Sequence, residues 1–285
     1  MRRSLGRSWA ALLMAIVLLG SSWAGAQPAS AGHTAPLNLD PMVRQGYQHF
    51  YNMDFDEAWK IFSVVARQHP QDPMAVDYLQ LTAIFRELYN QDLLDTTYYA
   101  HDSFLSNKRD TPVPAAEREQ IESLTNRVIG MCDDAIKKNP NDKNAWFARG
   151  FAKGMHAAFI VLADHQFAAG ARQGLQARND SEAVLKLDPQ YADAEMAVGL
   201  QQFASASLPG WLRWIVGMIG AGGSKTRGIA LLRDAAAHGV VTSVESRTAL
   251  SLFLRHDGRY ADALEVERGL AAEYPHDYLF RLEVA

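Results

Sequence analysis

The chain has 285 residues, with 28 Lys and Arg against 32 Asp and Glu, for a formal charge of −4. A mildly acidic chain without a basic block is a poor match to nucleic acid, and a single cysteine, Cys132, excludes an internal disulfide framework. The length suffices for one elongated domain or two compact ones.

Arg2, Arg3 and Arg7 precede an apolar run from Ala10 to Leu19, and a small-residue stretch from Gly20 to Ala26 follows. That order predicts a secretory signal peptide over 1–26. Ala24-Gly25-Ala26 sets the cut before Gln27, and Ala29-Ser30-Ala31 offers a second cut before Gly32. A retained anchor is the weaker reading, because the apolar run is well short of the ~20 residues that span a hydrocarbon layer. Cleavage removes three arginines and takes the formal charge from −4 to −7. The expected product is exported, periplasmic or secreted, with a flexible lead over 27–36.

Helix pairs are expected from residue 37 to residue 285. Gly46, Ala58 and Pro70 stand 12 and 12 residues apart, with Phe55 three before the alanine and Phe62 four after it. Two helices approach closely only where side chains are small, and proline stops the helix before it. The segment GYQHFYNMDFDEAWKIFSVVARQHP thereby resembles the tetratricopeptide (TPR) consensus. Next, Met74 to Tyr89 and Ala115 to Lys138 read as a second pair, separated by a polar, Tyr-rich connector. DAIKKNPNDKNAWFARG reads as a helix end, a turn and a new helix with Trp146 and Gly150. The third pair has long helices around Asp164 to Asn179. Pro189 ends it, and Gly199 lies on the following helix. The fourth pair holds the apolar insertion LPGWLRWIVGMIGAGG, then RGIALLRDAAAHG with Gly228 at a crossing and Gly239 as the stop. Ser251, Ala263 and Pro275 repeat the first spacing, with Tyr260 as the aromatic.

The markers Pro70, Pro140, Pro189, Val240 and Pro275 fall 70, 49, 51 and 35 residues apart, against a repeat of about 34. The expected fold is therefore all-α: an α-solenoid of about five TPR-like helix pairs, with insertions near 90–114, 160–178 and 208–223. A narrower stretch, LPGWLRWIVGMIGAGGSKTRGIALLRDAAAHG, is similar to the Leu-Pro, apolar, Gly-rich, helix order of eukaryotic inclusion-body-clearance repeat proteins. That likeness implies a related insertion and no particular chemistry.

The TPR resemblance implies which side of each first helix faces inward. Carried over position by position, it nominates Tyr47, Phe50, Tyr51, Phe85, Phe147, Phe151, Met155, Met196 and Phe203 as a partner-binding surface. Repeats that clamp the C-terminal carboxylate of heat-shock chaperones place Lys and Asn where this chain has Val43 and Tyr47, so that ligand is not expected. The aromatic surface is either an open interaction groove or core filled by insertions or chain ends. In the insertion, Trp211, Trp214 and Ile215 beside Arg213 suit docking back onto the array or contact with a membrane.

GAGGSKT imitates a phosphate loop, but Ser224 separates Gly223 from Lys225 and no apolar strand precedes it; a glycine turn with Ser224 as N-cap fits better. The nine histidines show no dense ligand spacing, and His156 and His165 read as surface or capping residues. His238 sits where a helix should end. Hydrolase motifs are absent, the acidic pairs Asp133-Asp134 and Asp54 with Asp56 read as surface or helix-start residues, and Cys132 reads as a buried small hydrophobe. No catalytic residue, cofactor or metal is expected. The leading function is a non-enzymatic envelope scaffold or adaptor that binds a protein partner. The alternative is a peripheral membrane or lipid-binding protein using the 208–223 insertion.

Overall fold

A computed structural model describes residues 32–95, 112–207 and 222–285. Among them are eleven α-helices and no strand: α1 Pro41–Tyr51, α2 Phe55–Gln68, α3 Pro73–Asn90, α4 Ala115–Lys138, α5 Lys143–Asp164, α6 Phe167–Leu187, α7 Glu195–Ser207, α8 Lys225–His238, α9 Ser243–His256, α10 Tyr260–Glu273 and α11 Tyr278–Val284. Each packs on its neighbours in sequence, giving five pairs, α1/α2 to α9/α10, with α11 laid on the last; α3 also packs on α5. The all-α solenoid is as expected. No helix of the described residues is long and apolar enough to cross a membrane.

Helix starts follow local chemistry. Asp40, Asp72, Asp142, Ser224 and Asp277 each accept a backbone N–H from the first turn of the helix they precede. Such a cap satisfies a donor with no partner inside the helix. Pro41 and Pro73 occupy first positions, where the missing N–H costs nothing.

Helix crossings follow residue size. Ala58 and Ala263 are buried, as the repeat register requires. A Cβ on Gly46 would lie 2.4 Å from the Phe62 ring, and one on Gly228 would lie 2.8 Å from the Gly199 carbonyl oxygen. The α7/α8 pair thus touches backbone to backbone. The second pair has no small residue at the corresponding place. There Gln80 is buried and donates to Thr125 Oγ1 at 2.7 Å and to the Ala152 carbonyl at 3.1 Å, so α3, α4 and α5 are joined by hydrogen bonds instead.

The extra residues near 160–178 lie in the long helices of the third pair, lengthening α5 and α6 to 22 and 21 residues, which meet at His165 and Gln166. His165 makes this tight turn in a left-handed conformation, φ 55°, and caps α5 as expected. The end of the lead is held rather than loose. His33 bonds Asp188 at 2.8 Å, Thr34 donates to Asp193 at 3.1 Å, and the Ala35 N–H donates to the Tyr191 hydroxyl at 3.1 Å. Thr34 and Ala35 are buried, so partners supplied from residues 188–193 fix a segment whose own composition carries no structural preference.

The first and last pairs meet. Tyr51 at the end of α1 donates to both carboxylate oxygens of Glu245 on α9, at 2.7 and 2.9 Å, and its ring lies 5.1 Å from that of Tyr274. The Asn52 side chain accepts the backbone N–H of His276. The solenoid therefore closes on itself through a few side chains.

Candidate functional site: an apolar chamber

Closure leaves a half-open chamber of about 460 Å³. Phe50, Tyr51, Met53 and Phe55 contribute from the first pair, and Ile84, Phe85, Leu88, Leu93 and Leu94 from α3 and the residues after it. Met155, Ala158 and Leu162 come from α5, and Val244, Thr248, Ala249, Leu252, Leu279 and Phe280 from α9 and α11. Helical spacing explains the walls, since residues three and four apart on one helix share a face. Ile84 and Leu88 on α3 are such a pair, as are Met155, Ala158 and Leu162 on α5.

Four carboxyl groups interrupt this apolar lining: Glu245, Glu267, Asp277 and Glu283. Burial raises Glu245 to about 7, against the opposing pull of the Tyr51 hydrogen bond. Burial also raises Glu267 to about 7. The nearby Ser251 hydroxyl pulls it back down in part, yet neither that hydroxyl nor Glu267 Oε2 completes a hydrogen bond of full geometry. Asp277 is raised by burial to about 6, although it accepts the N–H groups of Leu279 and Phe280 as the cap of α11. Glu283 is ion-paired with Arg255.

A second cavity of about 230 Å³ adjoins the first and shares Leu94 and Leu279 with it. Tyr89, Asp92, Asp95, Tyr278 and Leu282 complete its wall. Tyr89, Tyr278 and Leu282 are among the few large apolar side chains exposed on the described surface. Burial, followed by the nearby Tyr89 and Asp92, raises the Tyr278 hydroxyl above its ordinary value.

The nine inner-face residues divide between two environments. Phe50, Tyr51, Phe85 and Met155 line the chamber. Tyr47, Phe147, Phe151, Met196 and Phe203 are buried between helices, where Tyr47 packs on Phe62 and Tyr78, Phe147 on Tyr191, and Phe203 stacks on Phe253 at 3.9 Å. Inner positions near the crossings meet another helix at once, whereas those near the α1, α3 and α5 C-termini face the chamber. Trp211, Trp214 and Ile215 lie outside the described residues, as does most of the stretch that carries the narrower resemblance.

Glu245, Thr248 and Leu252 were not among the sequence candidates, yet a signal for them exists. Ser251 occupies the small-residue place of the fifth pair, and the same register set back from it puts these three on the inner face. Glu267, Asp277 and Glu283 give no such signal, because they lie on α10 and at α11, outside the inner positions of a first helix.

Other candidates resolve into structure. Cys132 is buried, and burial raises its thiol far above the ordinary range, the state of an inert core residue. His156 is a correction: it is buried and bridges Glu122 at 2.9 Å and Gln173 at 2.8 Å, because α4 and α6 supply a polar partner on each side. Ser224 caps α8, and His238 ends it beside Gly239. Asp133 pairs with Arg149, and Asp54 with His49. Among the described residues no group of three or more His, Cys, Asp or Glu is arranged to hold a metal ion.

Fold and chamber together define a TPR-like helix-pair solenoid closed around an apolar space. No family model and no curated protein matches the chain. Among solved structures it is similar to a thermophilic TPR protein of Thermus thermophilus, at 17% identity over 85% of this chain and 95% of that one, with a TM-score of 0.46. The class rests on the helix pairs themselves.

Proposed function

We propose that this protein is an exported, non-catalytic helical-repeat scaffold that holds an apolar segment of a partner protein in the chamber. The observation that carries the reading is the chamber itself: a closed array keeps Phe50, Phe85, Leu88 and Leu162 around a space instead of collapsing them into contact. Apolar walls with a few polar groups are the usual make-up of a ligand site. Export is supported by the order of Arg2, Arg3 and Arg7, the apolar run and the small residues before Gln27.

Photocrosslinking in the native envelope tests this. A benzophenone amino acid at position 85, on the chamber wall, should capture a defined partner segment, while one at position 119, on the exposed side of α4, should not. The intact mass of the same preparation should begin at Gln27 or Gly32. Equal capture from both positions, or none from position 85, would remove the reading.

A second reading has its own observation: most of the wall is apolar, and an acyl chain needs no hydrogen-bonding group from it. A lipid crosslinked at position 85 in place of a peptide would put that reading first.

A further inference from the structure

We infer that the chamber and the adjoining cavity select an apolar partner segment that carries a lysine or arginine. Its apolar side chains would lie in the chamber and its cationic head among the acidic and tyrosine side chains at the α3–α11 end. This rests on the reading above and names the chemistry of the segment.

The argument begins with the sign of the lining. Among the described residues, every formally charged side chain on either wall is acidic: Glu245, Glu267, Asp277 and Glu283 in the chamber, Asp92 and Asp95 in the adjoining cavity. No Lys, Arg or His lines either among the described residues. A recessed space with apolar walls and one sign of charge attracts the opposite sign and repels its own. An acidic or carboxylate-ended ligand is therefore disfavoured.

Glu267 supplies the second observation. It is only 2% exposed and sits on the chamber wall, yet its Oε2 lacks a donor. A buried acceptor in that state costs free energy that a ligand N–H can recover. Neither Glu245 nor Glu267 has a salt-bridge partner among the described residues, whereas Glu283 is already paired with Arg255 and Asp277 caps α11. Glu245 already accepts the Tyr51 hydroxyl on both oxygens, so the unmet acceptor is Glu267 on α10, with Glu245 beside it on the same wall.

The adjoining cavity fits the head group. Tyr89 and Tyr278 present exposed aromatic rings beside Asp92, a combination that attracts an ammonium or guanidinium through both ring and carboxylate. The two cavities share Leu94 and Leu279, so one ligand can occupy both. Lysine suits such a path, because its stem is apolar while its head seeks charge. The walls offer few partners for a bare peptide backbone, which favours a segment whose backbone bonds are made internally, as in an amphipathic helix presenting one ridge.

Matched amphipathic helical peptides test this with the purified full-length chain. One Leu- and Phe-rich face would carry Lys, norleucine or Glu at a single position, with binding read by fluorescence anisotropy. The Lys series should bind about tenfold tighter than the norleucine series, and the Glu series weakest. Glu245→Gln with Glu267→Gln, and separately Asp92→Asn with Asp95→Asn, should bring the Lys-to-norleucine ratio towards one, with circular dichroism melts confirming that each variant is folded. Equal binding of Lys and norleucine peptides to the wild type overturns the inference and leaves the segment-holding reading standing. Binding of dodecylammonium with no peptide binding at all overturns both.

Discussion

Asp193 and Glu267 are both 2% exposed, and their surroundings could hardly differ more. Asp193 accepts the backbone N–H groups of Val240, Val241 and Thr242 and the hydroxyls of Thr34 and Thr242, so one carboxylate ties the lead to the start of α9. Glu267 keeps one oxygen with no donor on the wall of a cavity. A buried carboxylate supplied with donors is part of the framework. One left wanting in an open space marks a place where the fold has not used its polar groups on itself.

The contrast is broken most severely by Asp193→Ala, which removes the acceptor of three backbone donors and two threonine hydroxyls. Urea denaturation should show a loss of about 3–5 kcal/mol. A loss below about 1 kcal/mol would mean that the junction is not a framework element.

Asp188→Asn should cost less, about 1–2 kcal/mol, because its partners His33 and Lys143 are partly exposed and screened. Burial pulls the Asp188 carboxyl upward, but hydrogen bonds from Lys143 and His33 outweigh it and hold the group below its ordinary value. Its contribution is therefore present above the unfolded carboxylate pKa and is lost as pH falls through the lower folded one. The gap between wild type and Asp188→Asn should close in that acidic range in pH-dependent melts.

Glu267→Gln sharpens the contrast with the smallest effect and the opposite sense. Burial raises Glu267 to about 7, so the stability linked to its protonation is fully present below the unfolded value and is lost as pH rises through about 7. Glu245, raised by burial to the same value, adds to that slope. Thermal melts of the wild type should fall between pH 5 and pH 8. The glutamine variant should fall less and be the more stable at pH 8, by on the order of 1 kcal/mol. Parallel slopes would place Glu267 in a solvated setting.

The helix pairs were legible because crossing chemistry is local. Gly46, Ala58 and Pro70, and later Ser251, Ala263 and Pro275, repeat one spacing imposed by close approach and helix termination. The second pair was harder to read, since Gln80 and Thr125 replace the small residue with a hydrogen bond whose partners are 45 residues apart. The chamber lay further out of reach. It depends on Tyr51 meeting Glu245 across 194 positions, and no periodic pattern encodes a contact of that range. The aromatic inner face was visible as residue types, but not which members face space and which face a neighbouring helix. The docking of Thr34 and Ala35 was hidden for the same reason, since their partners belong to residues 191–193.

The Tyr51–Glu245 seam also bears on the order of events during folding. A helix-pair array grows by nearest-neighbour contacts, so any pair can nucleate and extend. The seam joins ends that every other pair must first bring together, which makes it a late contact. Loop entropy rises only by about 0.6 kcal/mol for each doubling of the intervening chain, so the closure is late without being prohibitive. A nascent chain released only as far as α8 lacks α9, α10 and α11, and with them one whole wall and four chamber carboxyl groups. The chamber is therefore complete only once the last three described helices have joined the array, and a chain that stops at α8 has α1, α3 and α5 facing solvent on that side.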